Sequence, residues 1–152
     1  MEKSLVLSVS AGKGCYRHIR ISEDATLLEL SDVILESFNF IDDHLHAFFM
    51  NNHAWDDSAK YMSPEYEPID DCGFTDKVKL SDFFLTKGDK FLYVFDFGED
   101  WQFRISVLRV LEEPVDEPCA FRSVGKLVQY EYEFDEFDEG DDDEDDDEND
   151  DL

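Results

Sequence analysis

The most regular hydrophobic pattern in the chain lies in residues 90–111, KFLYVFDFGEDWQFRISVLRVL. In residues 91–95 both alternating sets of positions are apolar, which predicts a central strand buried on both faces. After the Phe-Gly-Glu-Asp stretch the pattern changes. Trp101, Phe103, Ile105 and Val107 now alternate with Gln102, Arg104 and Ser106, predicting a second strand with one dry and one wet face. The join between the two reads as a tight turn. Gly98 is expected there at positive φ, with Asp96 or Asp100 accepting turn N–H groups and Trp101 packing on the sheet.

Patterning upstream predicts a hairpin and a helix. Residues 4–10 alternate Leu5, Leu7 and Val9 with small or polar partners. A glycine turn at 11–14 follows, and then residues 15–22 set Ile19 and Ile21 on one face against His18 and Arg20 on the other. Thr26-Leu27-Leu28-Glu29 has the form of a capping box. Leu27, Leu30, Val33, Ile34 and Phe38 then recur at helical spacing, so a helix over residues 27–38 stopping at Asn39 is expected. Residues 44–50 read as a short strand and residues 78–84 as a helical turn. Residues 51–75 show no periodicity, and a loop of that length is expected to be functional or partly disordered.

Strand, strand, helix, strand, short helix, strand is the order of the β-grasp, and residues 79–95 resemble the last third of ubiquitin. The expected fold class is therefore α+β, a ubiquitin-like mixed sheet with one main helix on one face. Its first and last grasp strands would pair in parallel at the centre, and the antiparallel hairpin strand 101–111 would extend the sheet. Past Glu112 the pattern decays through a proline-and-acid linker (112–118) and the less legible residues 119–129. Tyr130, Tyr132 and Phe134 alternate with acids, and from Gly140 almost only Asp and Glu remain. A single domain over 1–130 and a disordered acidic tail over 131–152 are expected.

Charge sharpens that division. The chain carries 40 acids against 13 Lys and Arg, a formal −27. Residues 131–152 hold 16 acids and no base, leaving the body moderately acidic. A field of that sign repels phosphate backbones, so no direct nucleic-acid binding is expected, and a protein partner of basic character is. Cys15, Cys72 and Cys119 are odd in number and far apart, and the N-terminus shows no signal-peptide pattern. Both point to the cytoplasm. No apolar run reaches membrane-spanning length.

Two segments carry a family resemblance: His44-Leu45-His46-Ala47-Phe48, and Phe95-Asp96-Phe97-Gly98-Glu99-Asp100-Trp101 followed by Arg104-Ile105. Together they resemble a family of small prokaryotic proteins named for the third open reading frame of a root-inducing (Ri) plasmid region, also described as insertion-element passengers. The resemblance covers about residues 3–130. It implies a compact α+β domain and an association with plasmids or transposons, and it supplies no biochemical activity. Longer relatives carry a further region after the grasp, where this chain has only residues 118–132 and the acidic tail.

The candidate chemistry is sparse. Asp96-Phe97-Gly98 lacks the phosphate loop and catalytic loop that would make it a kinase motif. His44 and His46, two apart on a strand, would share a side and could share a metal, with His53, Asp56 or Asp57 as a further ligand. Against this stands the simpler reading of histidines lining a sheet edge. No activated nucleophile is visible, and the pairs Arg17/Arg20 and Lys77/Lys79 are expected to balance nearby acids. The expected function is a non-enzymatic protein-interaction module without cofactor or metal, presenting His44, His46, Asp96, Gly98, Asp100, Trp101, Tyr130 and Tyr132. Two alternatives stand beside it. One is a small metal-dependent enzyme using His44, His46 and a carboxylate. The other is an acidic inhibitor or chaperone that mimics nucleic acid toward a basic DNA-binding partner, anchored by the aromatic–acid alternation.

Overall fold

In the computed structural model, residues 3–12, 14–67 and 72–129 are described. The expectations for Tyr130, Tyr132 and the acidic tail lie outside them. Strands β1 (Ser4–Ser10) and β2 (Tyr16–Ser22) form the hairpin that their alternation predicts, with Leu5 opposite Ile21 and Leu7 opposite Ile19. Helix α1 (Leu27–Ser37) starts at the capping box: Glu29 N–H donates to Thr26 Oγ1 at 3.1 Å, and Thr26 N–H donates to Glu29 Oε1 at 2.8 Å. It ends at Asn39, left-handed at φ 64°. There Asn39 N–H reaches the Glu36 carbonyl and Phe40 N–H the Leu35 carbonyl, a Schellman closure that satisfies the last turn. Leu27, Leu30, Ile34 and Leu35 are buried beneath it.

The remaining strands are β3 (His46–Phe49), β4 (Lys60–Met62), β5 (Gly73–Phe74), β6 (Lys90–Phe95), β7 (Trp101–Leu111) and β8 (Cys119–Val124). A 3₁₀ turn at Leu80–Phe83 occupies the expected short-helix position. All eight strands join one mixed sheet in the order β5-β4-β3-β6-β7-β1-β2-β8. The α+β class holds, with one α-helix among the described residues.

The parallel pairing expected for a grasp is absent from its place. β7 does not extend the sheet at an edge; it lies between β1 and β6 and is antiparallel to both. The reason is the occupancy of edges. β6 is bonded to β3 on one side and, through the tight turn, to β7 on the other, so no edge is left for β1. The one parallel pair among the described strands is β4 with β5. Between β1 and β7 the register passes from Val6 opposite Arg109 to Leu7 opposite Val107. Leu108 is therefore the extra residue of a β-bulge, which sends Arg109 outward and returns Val110 to the core.

Burial follows the pattern. Phe91–Phe95 are all buried, whereas Phe103, Ile105 and Val107 of β7 are buried between exposed or half-exposed partners. On the helix side, Phe91, Tyr93, Phe95 and Phe103 pack with α1 and with the inner rows of β1 and β2. Tyr93, wholly buried, shares a 2.6 Å hydrogen bond with Ser31 of the helix. On the outer side, Leu92 and Val94 join Ala47, Phe49 and Met62 in a second core. Ala54, Tyr66, Cys72 and Phe74 close it, and all four come from residues 51–75. Besides adding β4 and β5 to the sheet, the described parts of that segment cover the outer face of β3 and β6, which explains a length its sequence did not.

Candidate functional site

The two signature segments meet because β3 pairs with β6. His46 stands opposite Phe95, and Asp96 N–H donates to the Leu45 carbonyl at 2.9 Å. β3 begins only at His46, so His44 precedes the strand and the two histidines do not share a side in the expected way. His44 is largely exposed, with Nε2 3.4 Å from Asp96 Oδ2 and 3.6 Å from Asp43 Oδ1. His46 is 2% exposed, with Nε2 2.9 Å from Thr75 Oγ1 and its ring near Phe48 and Tyr93. Burial pushes its pKa down to about 4, so it is neutral at pH 7. Asp56 turns inward on its own loop, accepting from Ser58 and Asn51, and Asp57 pairs with Lys60 at 3.2 Å. Among the described residues no group of three or more His, Cys, Asp or Glu is placed to hold a metal.

The turn between β6 and β7 is built differently from the expectation. Asp96 and Asp100 occupy the left-handed region, at φ 63° and 58°, and Gly98 does not. Aspartate tolerates that conformation better than most side chains, and here it also supplies an acceptor. Asp96 Oδ1 accepts Glu99 N–H at 3.3 Å, and the Asp96 carbonyl accepts Glu99 and Asp100 N–H at 3.0 and 2.6 Å. Asp96 therefore closes the turn and faces His44. Asp100 accepts the Gln102 side-chain amide, and Trp101 packs edge-on against Phe40 at 5.0 Å.

Beside His44 an open cleft of about 530 Å³ is lined by Leu28, Asp42, Asp43, Leu45, His46 and Glu65. Among the described residues no lysine or arginine lines it. Asp42 has its pKa raised by partial burial, then by the charges of Glu65 and Asp43. Asp32 on α1 is raised by partial burial and then by Asp42, Glu29 and Glu65. These carboxylates repel one another, and a cation placed among them relieves that repulsion. Sequence reasoning missed Asp42 and Glu65, since acids abound and their proximity depends on how residues 51–75 fold back.

The basic pairs divide. Lys77 lies 3.9 Å from Asp76, and Arg20 lies 3.8 Å from Glu113, as expected. Arg17 is instead buried. Its Nε donates to the Ser37 carbonyl at 2.7 Å, its Nη1 donates to the Tyr16 and Val124 carbonyls, and the guanidinium lies 4.2 Å from the centre of the Phe38 ring. It ties the end of α1 to β2 and β8. Beside it the Cys15 thiol is pushed up by burial, which disfavours the nucleophilic thiolate.

The model of the plasmid pRiA4b ORF-3-like protein family matches residues 6–149. Among solved structures, a protein of unknown function from Methanosarcina mazei Go1 is similar, with 29% identity and a TM-score of 0.66. The match covers 81% of this chain and 70% of that one. No curated protein matches the sequence. No helix among the described residues is long and apolar enough to cross a membrane.

Proposed function

The chain belongs to the plasmid pRiA4b ORF-3-like protein family, and from that premise we propose a non-enzymatic protein-interaction module whose acidic cleft receives a lysine- or arginine-bearing segment of a partner. The observation that carries this reading is the cleft itself, open, ringed by Asp42, Asp43 and Glu65, and lined by no described lysine or arginine. It lies where the two signature segments meet, with Asp96 and His44 at its side. Complementary charge there would steer encounter and fix orientation. The family name ties the module to a plasmid, and a cytoplasmic partner within a mobile element's own machinery fits the chain's acidity. His46, neutral and occupied by Thr75, is poorly suited to the metal-dependent alternative.

The test is affinity capture by the full chain, compared with an Asp42→Asn/Glu65→Gln variant of unchanged melting temperature. A basic protein retained by the first and lost from the second, with a binding rate that falls as salt rises, supports the reading. Retention indifferent to both substitutions overturns it. Elemental analysis gives a second check. About one equivalent of zinc, nickel or iron, removed by His44→Ala/His46→Ala, would put the metal-dependent enzyme in its place.

A further inference from the structure

The strands β1, β2, β7 and β8 contain all five arginines of the chain and not one Asp or Glu, in a sequence with 40 acids. They are consecutive neighbours in the sheet. Register decides where their charges go. Arg17 points to the helix side and is buried against Phe38. The other four point outward, because their ladder partners are the outer-row residues: Arg104 opposite Ser10, Arg109 opposite Val6, Val6 opposite Arg20, and Arg122 opposite His18. Lys90, opposite Ser106, adds a fifth cation to the same face.

The cover formed by residues 51–75 packs on Leu92 and Val94 of β6. Across β7, β1 and β2 the centre of the outer face is small and polar, with Ser106, Ser8 and Ser10 side by side, and Tyr16, His18 and exposed Phe121 lie along its far rim. Arg104, Arg109 and Lys90 are exposed, and their side chains make no hydrogen bond or ion pair with another described residue. Among the described residues the Arg122 side chain is held by Tyr16, through its hydroxyl and its ring. Arg20 is taken up by Glu113, at 3.8 Å, and by the Pro114 carbonyl, but Arg104, Arg109 and Lys90 leave unpaired positive charge on this face, which in a chain of net charge −27 forms a surface for a polyanion.

We propose that this arginine face is the docking surface for the chain's own acidic segment, residues 131–152. Charge complementarity selects that occupant: 16 acids and no base on the segment, four arginines and no acid on the four strands' outer rows. So does the point of departure. The described chain ends at Gln129, whose side-chain amide bonds Ile41 on both sides and reaches Asp43 at 3.3 Å, beside the acidic cleft. Like charge expels the segment from there. The arginine face carries the opposite charge, and 22 residues extended span up to about 70 Å at ~3.3 Å each, ample to cross the sheet. Attachment to the same chain supplies an effective concentration in about the millimolar range, so individually weak arginine–carboxylate contacts suffice.

The test uses the full chain. A zero-length carbodiimide coupling of amines to carboxylates should join Lys90 to acids of 131–152 within one molecule at about 0.01 M salt. At about 1 M, where the Debye length is ~3 Å, the link should be lost. Arg104→Gln/Arg109→Gln, with melting unchanged, should reduce it several-fold. In parallel, the side-chain N–H signals of Arg20, Arg104, Arg109 and Arg122 should move when the ten acids of residues 141–151 are replaced by their amides. Links to Lys90 no more frequent than those to Lys77 or Lys87, links between different molecules, or arginine signals blind to the replacement would each overturn the proposal. A single-stranded oligonucleotide that binds equally well with and without the tail's charge would make the face a nucleic-acid surface and also overturn it.

Discussion

Over β3 and β6 the outer face of the sheet is roofed by residues 51–75 and packed with Leu92, Val94, Phe49 and Met62. Over β7, β1, β2 and β8 the same face is covered only at the Ser4–Val6 end, where both residues are buried, and is otherwise serine-floored and arginine-bearing. One sheet is thus a three-layer structure at one end and a two-layer structure at the other. Charge divides along the same line, with the acidic cleft beside β3 and the arginines on the open strands. A strand apolar at every position demands a cover on each face, whereas an alternating strand demands one. The long, aperiodic segment is therefore part of the core requirement of β6, and its length reflects the distance it must travel to meet that requirement.

The largest expected effect breaks this comparison at its roof. Leu92→Ala removes a buried side chain from the covered half and should cost roughly 2–5 kcal/mol in denaturant unfolding. Arg104→Gln, one ladder position away on β7 but on the bare half, should change stability by less than about 0.5 kcal/mol. Equal losses would mean that the arginine face is packed as tightly as the roofed one.

Histidine titration separates the halves next. His46 takes up its proton only near pH 4 in the folded protein, and near pH 6.5 when unfolded. Between these values the unfolded state binds more protons, so stability is complete above about 6.5 and falls as pH drops toward 4. The loss amounts to about 3 kcal/mol. His18 on the bare half is also lowered, by partial burial and then by Arg122, and adds in the same sense. Asp32 and Asp42, raised in the fold, act in the opposite sense and regain stability as they protonate. A His46→Gln variant should lose most of the dependence between pH 6.5 and 4. If its pH profile matches the parent's, the burial of His46 is not what sets acid stability.

These contrasts also show what the sequence could carry. The hairpin, the capped helix and the one-sided character of β7 were legible, because each rests on local period and local hydrogen bonding. The order of strands was not. Nothing local tells β1 to seek β7 rather than β6; that choice depends on which edges the turn at Asp96 leaves open. β8 went unread because an exposed edge strand has no apolar alternation to announce it. The acidic cleft was illegible for the same long-range reason. The arginine face, by contrast, was present in the sequence as four acid-free strands, visible once they are known to be neighbours.

Tyr93→Phe tests the join between helix and sheet beneath both halves. The Ser31–Tyr93 bond is buried, and deleting the phenol oxygen leaves the serine hydroxyl without its partner. The expected cost is about 1–3 kcal/mol. Restoring an apolar match with Ser31→Ala in the same chain should recover a large part of it. A double variant no more stable than Tyr93→Phe would show that the lost energy is packing and not desolvation.

The smallest effect concerns the turn where the signature segment bends. Gly98 is the residue a reader of Asp96-Phe97-Gly98 would protect, yet it lies outside the left-handed region, and a Cβ built on it meets only Asp96 Oδ1 at 3.7 Å, an ordinary contact. Gly98→Ala should therefore leave unfolding within about 0.5 kcal/mol of the parent, or raise stability slightly by stiffening the unfolded chain. The strain-sensitive positions are its neighbours. Asp100 at φ 58° has a side chain that tolerates the left-handed well, and a β-branched replacement does not. Asp100→Val should cost roughly 1–3 kcal/mol from backbone strain, and it also deprives the Gln102 side-chain amide of its acceptor. Asp100→Asn, which keeps both the conformation and an acceptor, should cost a fraction of that. The ordering valine, asparagine, then alanine at 98 is the measurable point. If Gly98→Ala proves the most damaging of the three, the turn reverses direction at the glycine after all, and the two aspartates are passengers in it.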